Sequence, residues 1–162
     1  MGTVADPFIL RPATQTENAS LGGLIDEVEG QFATMFVNAR NSLRARAAAI
    51  DPQLSPIGYK VLAIIWRDGA RQQGCVAEEM EVDKALMSRT IKQLEQFGLV
   101  ERSIDPSDGR AMLVSMTEQA RGRFDATVSR ARRVLHDRLA DWDIDEVRRF
   151  TDLLAKLNES PL

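Results

Sequence analysis

Arg110 stands just past a turn-rich tip, Asp105-Pro106-Ser107-Asp108-Gly109, set between two short apolar runs. A guanidinium there offers a permanent charge and a planar fork of N–H donors, the chemistry of an anionic or acceptor-rich partner. Upstream, "KALMSRTIKQLEQFG" brings Lys84, Ser88, Arg89 and Lys92 together within nine residues. At 100° per residue one helical face carries Ala85, Arg89, Lys92, Gln93 and Gln96, flanked by Ser88 and Leu86. That face has no acidic residue, although Glu95 lies beside it. Nothing comparable points to catalysis. There is no Ser/His/Asp arrangement, no phosphate-cradling glycine loop and no metal spacing, so neither an enzyme nor a cofactor or metal is expected.

These donors need elements to hold them, and the bulk composition bounds what those can be. A chain of 162 residues with 44% apolar and 28% charged residues is an ordinary globular balance, enough for one domain or two small interlocked ones. No run approaches the roughly 18 apolar residues of a membrane span. The N-terminus lacks the basic-then-apolar pattern of a secretory signal, and Cys75 is the only cysteine, so a reducing cytoplasm is the expected compartment. The net charge of −3 argues against nucleic-acid binding by bulk charge alone, but not against a local basic surface.

Residues 1–19 hold two prolines and little periodicity and are expected to form an arm. From Ser20, Leu21, Leu24, Ile25, Val28, Phe32, Met35, Phe36, Ala39, Leu43 and Ala47 recur at helical steps, predicting a helix of about eight turns. So long a stripe exceeds what a small monomer can cover, and part of it is expected to meet a partner chain. Ser55-Pro56 caps and starts a second helix, ended by Asp68-Gly69; a short helix follows around Cys75–Met80. Asp83 caps the donor-bearing helix and Gly98 stops it. Strands near Leu99–Ser103 and Ala111–Met116 flank the tip. Thr117 opens a helix with Phe124, Val128, Ala131, Leu135 and Leu139 on its apolar stripe. Asp143 and Glu146 form a capping box for the last helix, with Trp142 placed to staple onto Val147. Phe150, Leu153, Leu154 and Leu157 are its expected buried positions.

Three helices followed by a two-stranded hairpin, with a basic polar face on the third helix, is the plan of a winged helix-turn-helix. Such a fold docks its second helix-turn-helix element in the DNA major groove. A hairpin beside it can reach the adjacent minor groove, where focused negative potential attracts an arginine.

The stretch "EVDKALMSRTIKQLEQFGLVERSIDPSDGRAMLVSMTEQA", Glu81 to Ala120, closely resembles the core of MarR-family transcriptional regulators. The shared features are a Val-Asp-Lys entry, a mid-helix arginine, a Gly-Leu-Val-Glu-Arg exit, an Asp-x-Arg wing and a Met-Thr opening of the next helix. The likeness is sharpest over about 40 residues, and the helix order agrees across roughly Ser20 to Asn158. The resemblance implies a mainly α fold with a small β-wing. Residues 51–117 would form the winged helix-turn-helix domain, and 20–50 with 118–160 a helical dimerisation region. It further implies a homodimer reading a palindromic operator in double-stranded DNA, with a small effector, anionic or aromatic, bound in a cleft between the two regions. A repressor is the expected sense of control.

Carried over by position, the resemblance makes Asp108 and Arg110 the wing pair, within a wing spanning 103–112. Helix 84–98 would enter the major groove with Lys84, Ala85, Leu86, Ser88, Arg89 and Lys92. The family often has Ser or Thr where this chain has Ala85 and Leu86, and a basic residue where it has Gly109. Ala85 and Leu86 could instead pack on thymine methyl groups. Ala85, Leu86 and Gly109, with the acidic net charge, also fit a second reading, a winged protein–protein module without operator binding.

Other candidates have bland readings beside the sharp ones. Tyr59 and Trp66 border the family's effector cleft, yet helical spacing also suits them to a core. Cys75 as an oxidant sensor competes with a small packed side chain. His136 is expected half-buried or facing a partner chain. Arg121 and Arg123, in a helix rich in arginine, could hold an anion or lie on a solvated face.

Overall fold

The computed structural model describes residues 21–159, so the expected N-terminal arm lies outside the described residues. Helix α1 runs Leu21–Ile50, α2 Pro56–Asp68, α3 Gln73–Glu79, α4 Lys84–Gln96, α5 Glu118–Leu139 and α6 Ile144–Asn158; strands are β1 Arg71–Gln72, β2 Val100–Ile104 and β3 Met112–Met116. The fold is mainly helical with one small antiparallel sheet, ordered β1-β3-β2.

The helix boundaries follow from the caps. Ser55 Oγ accepts the Gly58 N–H at 3.1 Å, and Pro56 sits where no N–H is needed. Thr117 has two tasks: its hydroxyl accepts the Ala120 N–H and donates to the Gly98 carbonyl at 2.8 Å. That bond joins the start of α5 to the end of α4. Asp143 and Glu146 form the full capping box of α6. Trp142 meets Phe150 edge-on, with ring centroids 5.7 Å apart.

Strand β1 was not expected. Two residues carry no alternation, and Arg71 and Gln72 become a strand only by pairing with Val114 and Leu113 of β3. The hairpin itself pairs Val100 with Met116 through to Ile104 with Met112.

The core lies under this sheet. Val61, Leu62 and Ile65 of α2 pack with Val76, Met87, Ile91, Leu94, Leu99 and Val114, all fully buried. Each such side chain contributes roughly 1.5–3 kcal/mol of apolar burial. Phe124 brings α5 into this core: its ring stacks on Tyr59 at 5.2 Å and lies 5.5 Å from Trp66. Trp66 Nε1 also donates to Asp125 Oδ1 at 2.7 Å.

The last helix differs from expectation, whereas α1 keeps exposed part of the stripe that was expected to exceed what one chain covers. Phe150, Leu153 and Leu157 of α6, expected buried, are exposed, and α6 has no fully buried residue. Leu24, Ile25, Val28, Met35 and Phe36 of α1 are exposed too. The periodicity identified an apolar face correctly, but no other element among the described residues covers it. Cys75, expected to pack, is exposed, and so is His136. No helix among the described residues is long and apolar enough to cross a membrane.

Candidate nucleic-acid interface

Helix α4 is set by both of its ends. Asp83 Oδ1 accepts the Leu86 N–H at 2.7 Å, fixing the first turn. At the other end Gly98 takes φ +66°, a left-handed conformation that lets the Leu99 N–H reach back to the Leu94 carbonyl at 2.9 Å. The turn from α3 into α4 uses the same device with a costlier residue. Glu81 has φ 53°, and the Val82 N–H reaches the Ala77 carbonyl at 3.1 Å.

Met87, Thr90, Ile91 and Leu94 turn α4's inner face into the core. Thr90 hides its hydroxyl by donating to the Leu86 carbonyl at 2.9 Å. Lys84, Ala85, Ser88, Arg89 and Lys92 are therefore presented outward together, all exposed. Leu86 is half-buried, so only part of it faces out. Arg89 lies along its own helix, Nε donating to the Ala85 carbonyl at 3.3 Å.

The cations here differ from Arg67 of α2 and Arg71 of β1. Arg67 pairs with Asp68 at 2.7 Å and Glu79 at 2.6 Å, and Arg71 pairs with the same two carboxylates. The hydrogen bond that Arg67 donates holds Asp68 below the usual carboxylate range, and donating to Asp68 and Glu79 holds Arg67 more firmly protonated. Arg102 of β2 neutralises Glu95, the one acid beside the α4 face, at 3.0 Å. Lys84, Arg89, Lys92 and Arg110 have no ion pair among the described residues.

At the wing tip, Asp108 Oδ1 accepts the Arg110 backbone N–H at 3.1 Å, so Asp108 shapes the loop rather than gripping the guanidinium. The turn closes with Ala111 N–H on the Asp108 carbonyl at 2.8 Å and Asp105 N–H on the Ala111 carbonyl at 3.0 Å. Asp105 itself, which sequence reasoning treated only as part of the tip, is buried. Its Oδ1 accepts from Ser107 N at 2.8 Å and Ser107 Oγ at 2.7 Å, and its Oδ2 from Gln72 Nε2 at 2.6 Å. These bonds, that of the Ser107 hydroxyl foremost, lower its pKa to about 2. The Asp-x-Ser spacing is an Asx-turn signal that could have been found in sequence; Gln72 left no such sign.

Helix α4 with a three-stranded wing beside it is a winged helix-turn-helix, and known proteins place it further. Residues 54–112 match the sequence profile of the MarR family. The chain is 32% identical over 123 residues to the HTH-type transcriptional regulator Mb0904 of Mycobacterium bovis, covering 74% of this chain and 85% of that one. The chain belongs to the MarR family.

MarR-family members are DNA-binding transcription regulators rather than enzymes, and this chain is one of them. It is also 29% identical over 107 residues to regulator YdgJ of Bacillus subtilis, matching 66% of this chain but only 65% of the relative's length. The HTH-type transcriptional repressor NicR of Pseudomonas putida is 29% identical over 112 residues, 69% of this chain and 71% of NicR. In fold it superposes on a MarR family protein from Bacillus stearothermophilus with a TM-score of 0.71 at 17% identity, over 86% of this chain and 96% of that one.

The remaining candidates fall elsewhere. Tyr59 is 6% exposed and stacked in the core, and Trp66 is half-buried and bonded to Asp125. Neither lines the cavity of about 530 Å³ between α1 and α5, whose wall includes Arg46, Arg123, Thr127 and Arg130. Arg123 also donates to the Ile50 carbonyl at 3.3 Å, capping the end of α1. Among the described residues no group of three or more His, Cys, Asp or Glu is placed to hold a metal.

Proposed function

We propose that this MarR-family regulator is a dimeric, effector-responsive repressor that reads a palindromic operator. Helix α4 enters the major groove with Lys84, Ala85, Leu86, Ser88, Arg89 and Lys92, and the wing enters the minor groove with Arg110. One observation carries the assignment: among the described residues Lys84, Arg89, Lys92 and Arg110 have no ion pair, while Arg67 and Arg71 are committed to Asp68 and Glu79. Free cations can replace the counterions of phosphates; paired ones first have to break a bond.

Arg89 reads a base edge, worth about 1–3 kcal/mol of discrimination, and Lys84 and Lys92 hold register on phosphates. The uncovered apolar faces of α1 and α6 support a homodimer, whose two-fold axis would be mirrored by the operator. The named repressor NicR among the relatives supports the negative sense of control. The arginine-lined cavity between α1 and α5 supports a small anionic effector, with an apolar or aromatic body against Ala45, Ala126 and Val134.

The test begins with the duplex that the protein enriches from a random-sequence DNA pool. Fluorescence anisotropy across a salt series is expected to show a steep negative slope. Arg110→Ala is expected to lose about tenfold or more in affinity and to flatten the slope by about one. Unchanged binding for Arg110→Ala, Arg89→Ala and Lys92→Ala would remove the assigned mechanism. If no duplex is enriched at all, the winged protein–protein module takes its place.

A further inference from the structure

The two DNA-reading elements are tied together from the inside. Gln72 occupies the N-cap position of α3 but gives that helix no side-chain cap. Its amide instead crosses 33 residues of sequence to donate to Asp105 Oδ2 at 2.6 Å. Asp105 is 7% exposed, whereas Ser103, Ile104 and Pro106 to Arg110 around it are all exposed. Its other oxygen takes both donors of Ser107, and its backbone N–H closes the turn on Ala111. A single buried carboxylate thus holds the tip in shape and fastens it to β1, the strand that leads directly into α3 and the reading helix.

We propose that Asp105 and Gln72 are positioning residues for operator recognition: their clasp fixes where Arg110 stands relative to α4, without either residue touching DNA. The inference rests on Arg110 acting in the minor groove. Two elements that must enter adjacent grooves at once bind well only if their spacing is set beforehand, because any freedom in the hairpin is lost on binding. The strands are only five residues each and end in a glycine-containing turn, so their pairing alone leaves the tip weakly oriented. Gln72 connects that tip to the helix-turn-helix through a part-buried bond. The chemistry also predicts which change is tolerated. In Asp105→Asn the Gln72 amide can turn over and accept from the new NH₂ group, keeping the clasp; in Asp105→Ala nothing remains to bond.

The test is a double-mutant cycle by anisotropy, on the duplex enriched from a random-sequence pool, with circular-dichroism melting run in parallel. Gln72→Leu and Asp105→Ala are expected to weaken binding about tenfold, and Asp105→Asn by no more than about threefold. In the Arg110→Ala background, Gln72→Leu is expected to cost less than about twofold, because there is no longer a guanidinium to place. Equal losses from Gln72→Leu with and without Arg110, or none in either, would overturn the proposal. If Asp105→Ala fails to fold, Ser107→Ala, which removes one bond at the exposed tip, is expected to lose a few-fold in the Arg110 background only. A harmless Arg110→Ala would instead remove the minor-groove reading itself, which keeps the two failures apart.

Discussion

The winged helix-turn-helix and the helices that flank it are made of similar residues but are finished to different degrees. In the winged segment, Leu62, Ile65, Met87, Ile91 and Leu94 are sealed by their own chain. In the flanks, Leu24, Ile25, Phe36, Leu135, Phe150 and Leu153 stand in the open. Among the described residues, the only large exposed apolar side chains in the winged segment are Ile104 and Met112, paired across the hairpin. The difference separates two jobs. One region holds a reading surface in shape by itself. The other presents a surface that needs a second body, and the spacing between two reading surfaces depends on that body.

The largest expected effect comes from spoiling the unfinished region. A charge at Phe36 in α1, 62% exposed, or at Leu153 in α6, 58% exposed, leaves the buried core untouched, and the ring contact of Phe36 with Phe32 lies within α1 itself. Under the dimer proposal, Phe36→Glu with Leu153→Glu is expected to halve the mass seen by light scattering. Loss of the second reading head should weaken binding to the selected duplex by about 10²–10⁴-fold, the usual worth of a linked second contact. A doubly charged variant that keeps both its mass and its affinity would show that these faces serve something other than a second copy.

Matched truncations sharpen the contrast. Leu94→Ala removes a side chain that is 1% exposed, and a cost of about 2–5 kcal/mol is expected in chemical denaturation at any protein concentration. Leu153→Ala removes the same atoms from an exposed site, so its cost is expected to grow with concentration and vanish at high dilution. Equal and concentration-independent costs at the two sites would erase the distinction between the regions.

The same contrast explains how far the sequence could be followed. Helix α1 was legible from its long periodic stripe, and α2, α4, α5 and α6 from a stripe joined to a chemical start signal, such as Ser55-Pro56 or Asp143 with Glu146. Exposure of Phe150 and Leu157 was not legible, since periodicity tells which face is apolar and not what covers it. Strand β1 escaped because its two residues owe their conformation to β3, more than 40 positions away. At the candidate site, the outward residues of α4 followed from helical geometry, and Arg110 from the turn. Gln72 did not, because a glutamine that bonds across the fold has no local mark. Asp105 and Asp108 look alike in "DPSDGR", yet one is buried and the other exposed.

A smaller effect tests how well the winged segment is optimised. Glu81 sits at φ 53° in the turn between α3 and α4, where a side chain costs about 1 kcal/mol relative to glycine. Its side chain is exposed and its carboxylate makes no ion pair among the described residues. Glu81→Gly is expected to raise stability by about 0.5–1 kcal/mol, read from the denaturation midpoint at unchanged slope. Removing a negative charge near the start of the reading helix should also leave DNA affinity equal or slightly higher. A destabilised Glu81→Gly would mean that the turn depends on the glutamate side chain.

The smallest expected effect is an absence of change with pH, and it follows from Asp105. Its pKa is lowered from 3.8 to about 2 by bonds from Ser107 and Gln72. A carboxylate depressed on folding adds stability that is fully present above its unfolded value, and that stability is lost as pH falls through the folded one. The clasp should therefore be intact from pH 8 down to about 4 and should weaken only between about 4 and 2. Amide hydrogen exchange at Ser107 and Ala111, corrected for intrinsic rates, is expected to show constant protection over the upper range. Protection that already falls between pH 6 and 5 would place the proton on another group, and the wing would then be held by something other than the Asp105 carboxylate.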